Sequence, residues 1–392
     1  MTERNFSRTH QHTRKTLLQS LTLSLPLPLT IAAVLVLTSC TVSPEPSATP
    51  SPSRSAAAGA LRPIGEPTVL ATGLAAPWSI VRLGARDSTL ISERDSGTVV
   101  ERQQSGRLRD IGIVPGVVHA GEGGLLGLAI HEESSGSGRW LYAYLTTATD
   151  NRIVRMPLTG ASGSYRLGAA SPILTGLAKA RNHDGGRIAF GPDGMLYATV
   201  GDAGEPSRAQ DPASLNGKIL RITPTGAVPR DNPIVGSPVY SLGHRNPQRI
   251  AWDADGQLWA AEFGQNTWDE FNRIEPGGNY GWPVIEGIGS QNGFIDPVYQ
   301  WSTSEASPSG LAFVGGTFFL AALGGKRLWA ISPGRTTTAL PFLIGSLGRL
   351  RDVAPGPDGS LWLLTNNTDG RGSPSTGDDK LIEVRLDVTR AG

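Results

Sequence analysis

Short apolar runs closed by turn residues, rather than long amphipathic stretches, set the rhythm of this chain. One phrase occurs three times. Gly191-Pro192-Asp193-Gly194 leads into Met195-Leu196-Tyr197-Ala198-Thr199-Val200, Asp253-Ala254-Asp255-Gly256 into Gln257-Leu258-Trp259-Ala260-Ala261, and Gly356-Pro357-Asp358-Gly359 into Ser360-Leu361-Trp362-Leu363-Leu364. An Asp-Gly pair supplies the backbone that tight hairpins need, and the apolar run after it reads as a buried strand. Weaker versions are Gly138-Arg139-Trp140-Leu141-Tyr142-Ala143-Tyr144 and Gly315-Gly316-Thr317-Phe318-Phe319-Leu320. The turns at Asp193, Asp255 and Asp358 lie 62 and 103 residues apart, about one and two units of roughly 50–60 residues. Units of that size predict propeller blades, and a folded part of about 330 residues holds about six. The expected fold is therefore an all-β, six-bladed β-propeller. The alternative is a β-sandwich or two stacked β domains, which would call for a mid-chain linker that is not visible.

The N-terminal region breaks this rhythm. Arg4, Arg8, Arg14 and Lys15 precede an apolar stretch from Leu17 to Leu37, the layout of an export signal. Its ending, Leu37-Thr38-Ser39-Cys40, resembles a bacterial lipobox, which implies cleavage before residue 40 and lipidation of Cys40; an uncleaved anchor is the alternative. Residues 41–60 are rich in Pro, Ser and Ala and carry no aromatic residue, so they read as a tether that cannot offset its ordering entropy. The expected organisation is a signal peptide over 1–39, a tether over 40–60 and one folded domain over 61–392. The expected location is the outer face of the cytoplasmic membrane, held by the lipid alone.

Composition narrows the chemistry. The 392 residues include 50 Gly and 29 Pro, with 18% charged, a turn-rich and β-biased mixture. Lys+Arg 35 against Asp+Glu 34 leaves no basic field for nucleic acid. The single Cys excludes an internal disulfide framework and a Cys-rich zinc or iron–sulfur site. Walker, Rossmann, Gly-x-Ser-x-Gly and His-Glu-x-x-His patterns are missing from the sequence.

Five polar segments lie between the strand phrases. Arg181-Asn182-His183-Asp184-Gly185-Gly186 presents an imidazole on a loop, suited to take a proton from an alcohol; a solvated turn histidine is the other reading. Leu242-Gly243-His244-Arg245-Asn246-Pro247-Gln248 offers a cation and amide donors to a carboxylate or developing oxyanion, or else packs a loop. Glu262 to Glu270, followed by Gly277-Gly278-Asn279-Tyr280-Gly281-Trp282, combines free carbonyls with carboxylates, a set that suits calcium but lacks EF-hand spacing. Arg349 and Arg351 alternate onto one strand face, a paired cationic patch for a multi-carboxylate ligand. The fifth segment is His119-Ala120-Gly121-Glu122-Gly123-Gly124-Leu125-Leu126-Gly127.

In this order, the five segments resemble the glucose/sorbosone dehydrogenase family, whose better-known members are soluble aldose sugar dehydrogenases dependent on pyrroloquinoline quinone (PQQ). The resemblance covers roughly residues 66–388. It implies a six-bladed propeller with the quinone over one channel mouth, and oxidation of an aldose to its lactone by hydride transfer to the quinone. His183 resembles the base that takes the sugar hydroxyl proton, and Arg245 the residue that polarises the reacting carbonyl. Asn246 and Glu122 match quinone contacts, and Arg349 and Arg351 the pair that binds its carboxylates. Gly264 and Gln265 match backbone carbonyls that hold calcium on the quinone; Glu270, with the Tyr280 carbonyl, matches a second, structural calcium site. The implied partners are a sugar and an electron acceptor that the sequence does not name.

Two positions depart from the family. Glu122 stands where better-characterised members carry glutamine, bringing negative charge toward an anionic cofactor. A family lysine follows the Ala-Leu pair of the fifth blade, whereas this chain has Ala322-Leu323-Gly324-Gly325-Lys326. In a strand, Lys326 would sit on the same face about 6–7 Å further on, so it either substitutes through a shifted loop or leaves the quinone less tightly held. Two rivals accompany the dehydrogenase reading: a lactonase-type propeller hydrolase with a carboxylate-held metal, and a non-catalytic propeller that binds a sugar or a partner.

Overall fold

The computed structural model describes residues 59–84, 87–133 and 138–388. The export segment, Cys40 and most of the tether lie outside the described residues. Six antiparallel sheets follow one another as blades. Their innermost strands are Pro77–Arg82, Leu125–Glu132, Ile188–Phe190, Pro247–Trp252, Pro308–Val314 and Leu350–Pro355, for blades one to six. Each packs against the next, and the last returns to the first, so the ring is closed. Closure is also built into one sheet. Leu61–Ala71 pairs antiparallel with Leu381–Val388 as the outermost strand of blade six, joining the two ends of the domain and leaving no unpaired seam.

The repeated phrases have a common position. Arg139–Thr146, Leu196–Val200, Leu258–Glu262, Thr317–Ala322 and Leu361–Thr365 are the second strands of blades two to six. A second strand has sheet on both edges and a neighbouring blade on each face, which is why these runs are nearly continuous in apolar residues. The turns before them differ in detail. Gly194 has φ +75° and closes its loop by donating to the Gly191 carbonyl at 2.9 Å. Before Leu361, both Asp358 (φ +50°) and Gly359 (φ +75°) are left-handed, the doubly positive form that Asp-Gly tolerates.

The core is divided among the blade interfaces. Tyr142, Ile153, Leu196 and Val200 pack between blades two and three; Trp259, Phe271, Phe318 and Leu320 pack between four and five; Phe319, Leu328, Leu361 and Leu363 pack between five and six. Filling the gaps this way leaves the axis for polar side chains. Arg187 is fully buried there, its Nη1 donating to Asp352 Oδ2 (3.0 Å) and Ser79 Oγ (3.1 Å), while Arg249 Nη1 reaches Asp352 Oδ1 at 3.2 Å.

Candidate active site

One end of the ring gathers the loops that enter the innermost strands and those that join second to third strands. Between them lies a cavity of about 340 Å³ lined by residues of all six blades and their loops. The sequence-predicted residues Glu122, His183, Arg245, Asn246, Gly264, Arg349 and Arg351 all line it. They are far apart in sequence and meet because each sits at a strand entrance or on a second-to-third-strand turn.

His183 takes a left-handed backbone (φ +61°), and its N–H donates to Glu122 Oε2 at 2.9 Å. The turn is tight: a Cβ at Gly201 would overlap the His183 carbonyl, so only glycine fits beneath it. The ring Nδ1 lies 2.8 Å from Oδ1 of the fully buried Asp202. Asp202 also accepts from Gly204 N–H (2.8 Å) and from Trp282 Nε1 at its Oδ2 (2.9 Å). A carboxylate only accepts, so Nδ1 carries a proton, and in the neutral ring the lone pair is on Nε2 of a side chain that lines the cavity. This is the arrangement of a general base. Asp202 and Trp282 were not among the expected site residues.

Five guanidinium groups line the cavity (Arg94, Arg245, Arg349, Arg351 and Arg371), against the carboxyls of Glu122, Asp184 and Asp369. Arg349 Nη2 pairs with Asp369 at 3.0 Å. Arg351 is held by neutral oxygens, Nε and Nη2 on Asn366 Oδ1 (3.3 and 3.2 Å) and Nη1 on Ser309 Oγ (3.2 Å), and burial pulls it down to about 9. Arg245 Nη1 reaches the Phe263 carbonyl at 3.3 Å, with its guanidinium 5.6 Å from the Trp282 ring centroid. Among the described residues, the Nε atoms of Arg245 and Arg349 are buried without an acceptor. Five cationic side chains around one cavity, against three carboxyls, fit an anionic ligand with several acceptor oxygens, which is the donor set that PQQ would need. Asn246 uses its Oδ1 on Gly185 N–H and Gln248 Nε2, both 3.1 Å.

Two expectations change. Glu122 does not bring an unbalanced charge, because Arg371 Nη1 pairs with its Oε1 at 3.0 Å; Arg371 lies on the distant 366–380 loop and was not foreseen. Lys326 is not a pocket residue. The strand ends at Ala322, residues 323–326 form a turn, and Lys326 sits there exposed with φ +49°. Strand spacing therefore does not apply, and Leu323 and Gly324 line the cavity instead.

Two of the calcium candidates, Gly264 and Gln265, lie on the 264–268 loop. The 264–268 loop wraps around Glu286, whose Oε1 accepts from the amides of Gln265, Asn266, Thr267 and Trp268 at 2.7 to 3.2 Å. Burial opposes its charge, yet these amides hold the Glu286 carboxyl below the usual range. Gly264 lines the cavity, while Gln265 is exposed beside it. Glu270 is buried under this loop and accepts from Asn272 Nδ2 (3.0 Å) and Gly287 N–H (2.8 Å). Burial, then the neighbouring Glu262, pushes its carboxyl well up, and among the described residues Asn272 Oδ1 is buried without a donor. Crowded oxygens that protein donors leave incompletely satisfied fit a hard cation. The Tyr280 ring stacks on His244 at 4.8 Å, and its hydroxyl donates to the Arg273 carbonyl at 2.6 Å.

Ser241 Oγ, His244 Nε2, His244 Nδ1 and Glu262 Oε2 form a 2.8 Å relay that resembles a hydrolase triad in outline. All three residues are buried, and Glu262 Oε1 is taken by the amides of Arg245 and Asn246. The relay braces the Arg245 loop from behind.

Compared with known proteins, residues 74–374 match the family model Glucose / Sorbosone dehydrogenase. The PQQ-bound aldose sugar dehydrogenase of Streptomyces coelicolor is 49% identical, with a TM-score of 0.78, and the match covers 84% of this chain and 98% of that one. Quinoprotein glucose dehydrogenase B of Acinetobacter calcoaceticus is 30% identical over 276 residues, which is 62% of this chain but only 57% of that relative's length. The aldose sugar dehydrogenase of Escherichia coli is 29% identical over 345 residues, 77% of this chain and 90% of that protein.

Proposed function

The chain belongs to the glucose/sorbosone dehydrogenase family and is an oxidoreductase of that family, and from this premise we propose that it oxidises an aldose sugar to its lactone with PQQ as electron acceptor. The observation that carries the reading is His183 held by the buried Asp202 in an arginine-lined cavity. PQQ, when bound, supplies a two-electron acceptor for the hydride on the sugar's anomeric carbon. His183 Nε2 removes the anomeric hydroxyl proton, and Asp202 stabilises the imidazolium that results. Arg245 offers a fixed cation where negative charge develops. Arg349 and Arg351 hold cofactor carboxylates, and Asn246 and Glu122 fix the Gly185 and His183 backbone at its edge. The Gly264 and Gln265 carbonyls hold a calcium ion, and Glu270 with the Tyr280 carbonyl a second.

A lactonase would require several side-chain ligands on one metal, and no group of three or more His, Cys, Asp or Glu side chains stands ready for one among the described residues. The test is reconstitution. Apo protein given PQQ and calcium is expected to reduce an artificial electron acceptor when an aldose is added. Wild-type protein that binds no PQQ at high micromolar concentration would replace this reading with the non-catalytic propeller. For location, we propose export and attachment to the outer face of the cytoplasmic membrane through lipidated Cys40, supported by the basic–apolar–cysteine pattern. Cys40→Ala should release the protein or block its processing, and an unmodified Cys40 in wholly soluble wild-type protein would overturn the anchor.

A further inference from the structure

We infer that Glu286 is the positioning residue of the cation site on the 264–268 loop: by collecting the loop's amides on one side, its carboxylate turns the Gly264 and Gln265 carbonyls to the other. The inference rests on the reading above that these carbonyls hold calcium.

The argument is one of peptide geometry. Among the described residues only the Trp282–Pro283 and Asp378–Asp379 bonds are cis, so the loop's peptide units are trans. In a planar trans unit the C=O and the N–H point in opposite directions. The Gln265 N–H shares its unit with the Gly264 carbonyl, and the Asn266 N–H with that of Gln265. Both N–H groups donate to Glu286 Oε1, at 2.7 and 3.1 Å, so both carbonyls face away from Glu286. The Thr267 and Trp268 amides, at 3.1 and 3.2 Å, impose the same sense on the next two carbonyls. Four donors exceed the lone pairs of one neutral oxygen, and a carboxylate oxygen is the acceptor best able to hold them.

The loop cannot relax elsewhere. Gly264 N–H is tied to Asp269 Oδ1 at 2.9 Å, and a Cβ at Gly264 would overlap the Trp268 carbonyl. Glu286 comes from residues 274–298, an excursion that also places Trp282 Nε1 on Asp202 and Gly287 N–H on Glu270. One segment thus sets the cation loop, braces the proposed base and reaches the second calcium candidate.

The test is calcium titration of the apo protein by calorimetry, without PQQ, in a Glu270→Gln background that removes the second site. Hydrogen exchange of residues 265–268 is followed in parallel. Glu286→Ala is expected to lose at least about tenfold in calcium affinity and to exchange these amides faster, with Glu286→Gln intermediate. PQQ binding in chelator should remain at the wild-type level. A folded Glu286→Ala protein with wild-type calcium affinity overturns the inference while leaving the calcium reading intact. Wild type that takes no calcium overturns both. Should Glu286→Ala not fold, Glu286→Gln with wild-type affinity and exchange overturns the inference by itself.

Discussion

On the side of the cavity formed by blades three and four, the polar groups are fixed by further protein groups: Asp202 holds His183, Trp282 holds Asp202, and Glu262 holds the backbone of Arg245 and Asn246. On the blade-five side stand Ser307, Leu323 and Gly324, which bring no charge, while the nearest lysine, Lys326, sits exposed on its turn. The first wall orients a proton acceptor and a cation. The second contributes space. The arginines that would hold an anionic cofactor come mostly from blade six, so proton removal and cofactor affinity depend on different parts of the ring and should be separable by mutation.

The sharpest break in that comparison is on the first wall. His183→Ala should lower turnover by roughly 100-fold or more, the scale of lost general-base catalysis, with PQQ affinity near wild type. Asp202→Asn should also lower turnover strongly, because an amide can donate to Nδ1 and so protonate the ring on the wrong side. Steady-state kinetics beside a PQQ titration checks both. Near-wild-type sugar oxidation by His183→Ala would end the proposed mechanism.

Five blades announced themselves through second strands that must be apolar on both faces. Blade one did not: its second strand, Thr89–Glu93, follows no Asp-Gly turn. The site was legible wherever a polar cluster abutted a strand phrase, as at His183, Arg245 and Arg349. It was not legible where the partner arrives from elsewhere. Asp202 is 19 residues from His183, and Trp282 another 80 from Asp202; no periodicity links them, since loop ends meet only once the ring closes. Arg371 on Glu122 is of the same kind, 249 residues away. Lys326 failed for a different reason. Gly324-Gly325 is a turn signal, and strand spacing cannot be carried through it.

Cofactor affinity comes next in size. Arg351→Ala removes a buried cation whose present partners are neutral, and losing one charge-assisted contact costs about 1.5–3 kcal/mol, or roughly ten- to 150-fold in PQQ affinity. Gly324→Lys tests the bare wall from the other direction. A Cβ at Gly324 would overlap Ser307 Oγ, so the single variant should gain little. Ser307 has φ +50°, a conformation glycine adopts freely. Gly324→Lys with Ser307→Gly should therefore tighten PQQ by about tenfold, the scale of one added charge-assisted contact. Titration calorimetry in calcium buffer reads all three, and a double variant no tighter than wild type would show that the blade-five wall cannot accept a charge.

The last expected effect is on stability alone and concerns Asp184, which adjoins His183 yet lacks the support given to Asp202. Its Oδ1 accepts from Asn151 Nδ2 (2.8 Å) and Ala180 N–H (3.1 Å), but among the described residues its buried Oδ2 has no partner. Burial raises the carboxyl from 3.8 to about 6, against those two hydrogen bonds. The folded protein thus binds this proton more tightly than the unfolded chain does. The resulting stabilisation is complete below the unfolded value and is lost as pH rises through about 6. At pH 8 the ionised carboxylate is the poorer fit, by about 2–3 kcal/mol for a shift of this size. Asp184→Asn keeps the accepting oxygen and removes the charge. It should raise the melting temperature of the apo protein by a few degrees at pH 8 and leave it nearly unchanged at pH 4. Calorimetric scans at the two pH values decide. An equal shift at both would mean that Asp184 does not titrate in this range, and that its unpartnered oxygen is compensated as fully as those of Asp202.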